Sequence, residues 1–139
     1  MSSFQLNERL EADTHLISEL ENCSLRLLDD ARWPWLVLVP RIEGAIEWHD
    51  LTKGQRIMID DEVVRVAHAL KMMTGYEKIN IASIGNMVRQ LHIHVIARKT
   101  GDPNWPSPVW SFGEKEARTQ EAMSSFKNAF EREFYGNNV

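Results

Sequence analysis

Two imidazoles and a carboxamide occupy alternate positions of one segment, Arg89-Gln90-Leu91-His92-Ile93-His94-Val95-Ile96. Side chains along an extended strand point alternately to opposite faces. Gln90, His92 and His94 therefore share one face, and Leu91, Ile93 and Val95 share the other. The apolar set anchors the strand to a core, and the polar set forms a row. Three uses of that row are open. It can be a solvated face carrying incidental histidines. It can give a His-x-His pair to a metal, but zinc needs a third or fourth ligand, which His15, His49 or His68 would supply only by an accident of folding. It can also perform nucleophilic catalysis. A neutral imidazole attacks phosphorus well when its other nitrogen is held protonated by a carbonyl. The product is a phosphoramidate, which water then cleaves. Such chemistry needs donors for phosphate oxygens. The Gly85-Asn86 turn just upstream offers backbone amides and a side-chain amide, and His94 would lie beside a nucleophile at His92.

That strand needs a sheet and a core to hold it. Residues 24–41 read as a hairpin, with Leu25, Leu27 and Leu28 on one side and the continuous apolar run Trp35–Val39 on the other. A run without alternation predicts an inner strand covered on both faces. Residues 52–74 predict the main helix. Thr52 and Gln55 have capping-box spacing, and Gly75 is a natural stop. Ile57, Val63, Val64, Ala67, Leu70 and Met73 predict one apolar stripe. Strands over 78–84 and 90–97 follow, joined by the five residues 85–89. Residues 99–112 read as loop, and Ala117, Met123, Phe126, Phe130 and Phe134 predict a final helix over 114–134. Residues 4–22 read as a short helix or turn followed by a second short piece capped near Asp13-Thr14. Cys23 reads as a half-buried thiol near a helix end. The pattern is α+β with a mainly antiparallel sheet.

A length of 139 residues predicts one domain. Sixteen basic against twenty acidic residues give a net charge of −4, which argues against a nucleic-acid coat protein needing a basic face. It leaves room for a small nucleotide. The lone cysteine excludes an internal disulfide and a cysteine-rich zinc site. The first residues lack the layout of a signal peptide, and no apolar run approaches the length of a membrane span. The expectation is a cytoplasmic protein with no membrane partner.

Taken together, Gln90-x-His92-x-His94 with apolar spacers, preceded by Gly85-Asn86, resembles the histidine triad (HIT) superfamily of nucleotide hydrolases and transferases. The family motif is His-φ-His-φ-His-φ-φ, where φ is apolar. The WLVLVPR stretch resembles the family's apolar strand ending in proline and a basic residue, and Asp29 and the Trp105-Pro106 pair agree with it. The resemblance covers roughly residues 13–112. One position departs from the motif: Gln90 stands where the first histidine belongs. The form INIASIGN followed by QLHIHVIAR resembles a bacterial subgroup described as diadenosine polyphosphate hydrolase-like.

The resemblance implies a HIT-like sheet of about five strands with a central and a C-terminal helix. The whole of 1–139 would be one domain, its core at about 13–112 and a helical extension at about 113–136. It implies a covalent nucleotidyl intermediate on His92, formed at the α-phosphorus, with His94 binding phosphate oxygen. Gln90 would belong to the catalytic set without shuttling a proton, its amide orienting a neighbour. Gly85, Asn86 and, one residue out of register, Asn80 would contact phosphate. Asp29 would contact ribose hydroxyls, with Asp30 as the competing choice. No cofactor or metal is implied. The partners implied are a small nucleotide, adenosine or related, and a second copy in a homodimer, with no nucleic-acid polymer. A non-catalytic nucleotide-binding module that lost turnover with the first histidine is the alternative.

Overall fold

Trp35–Pro40 is buried at every position because it lies inside the sheet. In the computed structural model, residues 3–136 are described; residues 1, 2 and 137–139, at the two ends of the expected domain, lie outside the described residues. The elements in chain order are α1 (Glu8–Asp13), β1 (Thr14–Glu19), β2 (Cys23–Leu28), β3 (Trp35–Pro40), α2 (Lys53–Thr74), β4 (Lys78–Ala82), β5 (Ile93–Arg98) and α3 (Gln120–Glu131). The five strands form one antiparallel sheet in the order β1-β2-β3-β5-β4. This is the α+β, mainly antiparallel architecture expected from the pattern.

Each strand gives one set of side chains to each face. Leu25, Leu27, Leu36, Leu38, Leu91, Ile93, Val95 and Ala97 face α2, where Ile59, Val63, Val66, Ala69 and Leu70 meet them. Phe130 of α3 is buried in the same cluster, with Met123, Phe126 and Phe134 packed against it. Opposite them, Trp35, Val37, Val39 and Ile96 form a second cluster with Trp33, Leu10 and Val109, flanked by Phe4, Leu6, Val88 and Trp110. The histidines belong to this second face. α2 begins and ends as its sequence dictates. Thr52 and Gln55 cap each other's backbone amides at 3.1 and 2.8 Å. Gly75 closes the helix at φ 69°, a left-handed conformation that a side chain would strain.

Several expectations are corrected. Thr14–Glu19 is a strand, not a helix or turn. Its alternation is broken by an irregularity between Leu16 and Ser18, so no period of two is visible. α2 carries two apolar stripes. The sheet takes the one containing Ile59, Val63, Val66 and Leu70, which leaves Ile57 and Val64 in solvent at 61% and 56% exposure. β5 begins at Ile93, so residues 83–92 join β4 to β5, twice the expected length. The last helix starts at Gln120, capped by Thr119, rather than at 114. Cys23 is fully buried at the start of β2, where burial and then Glu62 push its thiol up.

Candidate active site

The face of β5 that carries the histidines is covered rather than solvated. His92 and His94 are each only 6% exposed. Leu91 donates its amide to Ala45 O at 3.0 Å, which fixes the approach to the strand, and His94 pairs with Val37 on one side and Ala82 on the other. The two rings lie 5.0 Å apart, centroid to centroid, inclined at 71°.

Their hydrogen bonds force opposite tautomers. His92 Nδ1 lies 2.7 Å from Gln90 O. A carbonyl only accepts, so His92 Nδ1 carries the proton and Nε2 holds a lone pair. Trp35 Nε1 lies 2.9 Å from His94 Nδ1. An indole N–H only donates, so His94 Nδ1 is bare and Nε2–H is the donor of the neutral ring. Burial, and then the proximity of His92, pushes the His94 imidazole down to about 3, which keeps it neutral. No described hydrogen bond engages Nε2 of either ring, and neither atom is among the described buried atoms without a partner. Both Nε2 atoms therefore reach solvent at the edge of otherwise buried rings. A bare nitrogen beside an N–H donor suits attack on an electrophile whose oxygen needs a hydrogen bond.

Tryptophan rings flank His94. Trp110 meets His94 and Trp35 edge-on at 5.0 and 5.6 Å, and Trp33 meets Trp35 at 6.0 Å. Behind them Arg98 and Asp102, both nearly fully buried, form a two-bond ion pair at 2.7 and 2.8 Å. That pair secures the start of the Trp-rich loop. The N-terminal segment covers the same face. Gln90 Nε2 donates to Gln5 O at 2.8 Å, and Gln90 Oε1 accepts from Asn7 N at 2.9 Å. Both ends of this carboxamide are thus occupied by main chain. Gln90 meets His92 through its backbone carbonyl and not through the side-chain amide expected to orient a neighbour.

The remaining candidates are dispersed. Gly85 and Asn86 lie in the β4–β5 connection, with Gly85 at φ 71°, where a Cβ would also crowd Val88 O at 3.3 Å. They line an open cavity of about 230 Å³ with Ile46, Glu47, Ile84 and Arg89; the histidines are not part of its lining. Asn80 pairs with Ile96 and its Oδ1 accepts from Arg98 at 3.3 Å, so it supports the ion pair behind the site. Asp29 follows β2, two strands from β5. Its Oδ1 accepts the Arg118 amide at 2.8 Å and lies 3.6 Å from His15 Nε2. Asp30 is buried. Burial alone would raise its carboxyl, but hydrogen bonds from Arg32 hold it below the usual range, and it serves the β2–β3 turn. Among the described residues, no three His, Cys, Asp or Glu side chains gather as a metal ion would require. None of the described helices is long and apolar enough to cross a membrane.

Trp35 is the participant that the sequence reading missed. Its place in an apolar strand marked it as core. Alternation put it on the same face as Val37, but only the sheet order brings β3 beside β5. Gln5 and Asn7 were missed for the same reason, since their partner lies more than eighty residues away.

Comparison with known proteins identifies relatives over most of the chain. The family model described as HIT domain matches residues 9–101. A histidine triad (HIT) protein from Sinorhizobium meliloti is 48% identical with a TM-score of 0.94, covering 96% of this chain and 98% of that one. A histidine triad protein from Bradyrhizobium japonicum is 41% identical with a TM-score of 0.92, covering 94% and 98%. One from Marinobacter aquaeolei is 39% identical with a TM-score of 0.92, covering 95% and 96%. Comparison with curated proteins finds no match.

Proposed function

The chain belongs to the HIT domain family, whose members bind nucleotides and are generally hydrolases or transferases, and from that premise we propose that it cleaves nucleotides at the α-phosphorus through a covalent nucleotidyl-histidine on His92. The observation that carries this reading is the Nδ1–H of His92 held on Gln90 O, which leaves Nε2 bare and in contact with solvent. Nε2 attacks phosphorus, and the bond from phosphorus to the leaving oxygen, or to the leaving nitrogen of a phosphoramidate, breaks, its electron pair going to the leaving group, which takes up a proton from solvent where it departs as an amine. Water then attacks, releases a proton to solvent, and returns the P–N electron pair to Nε2. A nucleoside monophosphate departs. His94 Nε2–H binds a non-bridging oxygen, and Asn86 with the Gly85 backbone binds phosphate further out. Asp29 faces ribose, since Asp30 is consumed by Arg32. Asn80 acts only through Arg98. A diadenosine polyphosphate or nucleoside phosphoramidate is the substrate class we favour, with adenosine or a related nucleoside.

The chain acts as one domain without a cofactor, and in the cytoplasm. It pairs as a homodimer through β4, an outer strand of the sheet, and the second stripe of α2. Ile57, Val64 and Met72 on the helix and Ile81, Ile84 and Met87 around β4 supply exposed apolar surface for that pairing. One observation favours the competing reading of a non-catalytic nucleotide binder. Gln90 spends both ends of its amide on the N-terminal segment, so the first motif position brings no third imidazole. Purified protein incubated with a diadenosine polyphosphate and, separately, with an adenosine phosphoramidate decides between them. AMP release, with an acid-labile and base-stable label on the protein from a labelled α-phosphate, supports the hydrolase. AMP binding without release or labelling overturns it.

A further inference from the structure

Trp35 and His94 meet through a contact that only one protonation pattern permits. The indole has a proton to give and no acceptor, so His94 must present Nδ1 bare. The opposite tautomer would set two N–H groups against each other in a buried place, leaving both without a partner. That costs a desolvation penalty rather than merely losing a bond. The indole itself is held from several sides. It is 5% exposed, it meets Trp33 and Trp110 edge-on, and its strand is central in the sheet. Its N–H is therefore a fixed dipole, not a mobile side chain that follows the imidazole.

We propose that Trp35 is a positioning residue that fixes His94 as the Nε2–H tautomer, so that the site pairs a bare Nε2 on His92 with an N–H on His94 and selects a tetrahedral phosphate-ester oxyanion. This rests on the reading of His92 as nucleophile given above, and it adds the element that makes the two adjacent imidazoles unlike. With the other tautomer His94 would turn a lone pair toward an oxyanion and repel it. With both rings alike, a ligand oxygen would find no donor beside the nucleophilic nitrogen. The discrimination is for an electrophile that brings its own anionic oxygen within reach of a second imidazole. A phosphoryl centre does so, and a neutral planar carbonyl before attack does not.

The test uses full-length protein labelled with ¹⁵N at histidine and tryptophan. His94 is assigned by the signals that His94→Gln removes. In the unsubstituted protein, a through-hydrogen-bond ¹⁵N–¹⁵N coupling should join Trp35 Nε1 to His94 Nδ1. His94 should show a bare-type Nδ1 and a protonated-type Nε2, and His92 the reverse. In Trp35→Phe both His94 nitrogens should move toward averaged positions, and kcat/KM for a nucleotide should fall at least tenfold, about 1.4 kcal/mol. If Trp35→Phe does not fold, 3-benzothienylalanine at position 35 keeps the ring shape without the N–H and answers the same question. AMP should shift the His94 Nε2–H resonance. Absence of the coupling, a protonated His94 Nδ1, unchanged His94 signals in a folded variant, or no response to AMP overturns the proposal. If the coupling and the AMP response are present but no substrate turns over, the positioning role stands and the catalytic reading of His92 falls.

Discussion

In the unfolded chain the His94 imidazole takes up a proton near pH 6.5, but in the folded protein burial and His92 hold it down to about 3. Between those values the unfolded state binds one proton more than the native state. Stability is fully present above 6.5 and falls as pH drops toward 3, at roughly 1.4 kcal/mol per pH unit. Urea unfolding measured from pH 7 to pH 4 should show this slope, and His94→Gln should remove one proton's worth of it. An identical pH dependence in the variant would mean that His94 is protonated in the native state. In the proposed mechanism the lone pair of His92 acts mainly in the transition state. His92→Ala should abolish turnover and leave nucleotide affinity within about tenfold. Titration calorimetry with AMP beside a turnover assay separates the two effects. Retained turnover in His92→Ala would sink the covalent mechanism.

Gln90 joins the segment preceding α1 to the end of the β4–β5 connection through two hydrogen bonds, beside the packing of Phe4, Leu6 and Val88 in one apolar cluster. Gln90→Ala should therefore release residues 5–7. Hydrogen exchange at the Asn7 amide should accelerate, and stability should fall by about 1–3 kcal/mol through the two lost hydrogen bonds. Protection of Asn7 unchanged from the parent would show that apolar packing of Phe4 and Leu6 holds the segment by itself. Gln90→His tests the motif position: the clasp is lost but an imidazole is gained, so Asn7 loosens whether or not turnover rises. The elements best foreseen from the sequence are those with local causes. Thr52, Gln55 and Gly75 mark both ends of α2 within a few residues, and the continuous run 35–39 announces a strand covered on both faces. β1 escaped because the irregularity at Leu16–Ser18 gives its burial a spacing that imitates a helix. The His92–His94 pair was visible because alternation is a local rule. The Trp35 contact and the Gln90 clasp were not, because each joins elements whose neighbourhood depends on strand order and chain path.

One side of the sheet carries the helices, and the other carries His94 and its aromatic neighbours. α2 and α3 cover the first side, but α2 is wider in apolar surface than the sheet can cover. Its second stripe and the outer edge of β4, unpaired among the described residues, should be met by a second copy. Light scattering at micromolar concentration should give twice the chain mass, and Val64→Glu together with Ile57→Glu should shift it toward one copy. A single-chain mass for the parent protein would remove the dimer. On the histidine side, residues 4–7 cover the face: Phe4 and Leu6 pack on its apolar cluster, and Gln5 and Asn7 bond the Gln90 side chain. A purification tag fused ahead of Phe4 would consequently extend from the segment that covers the histidine face, whereas one fused at the other terminus would extend from beyond Phe134, which packs in the cluster under α2. Two preparations differing only in the end that bears the tag would then differ in activity, although neither alters a residue of the proposed site.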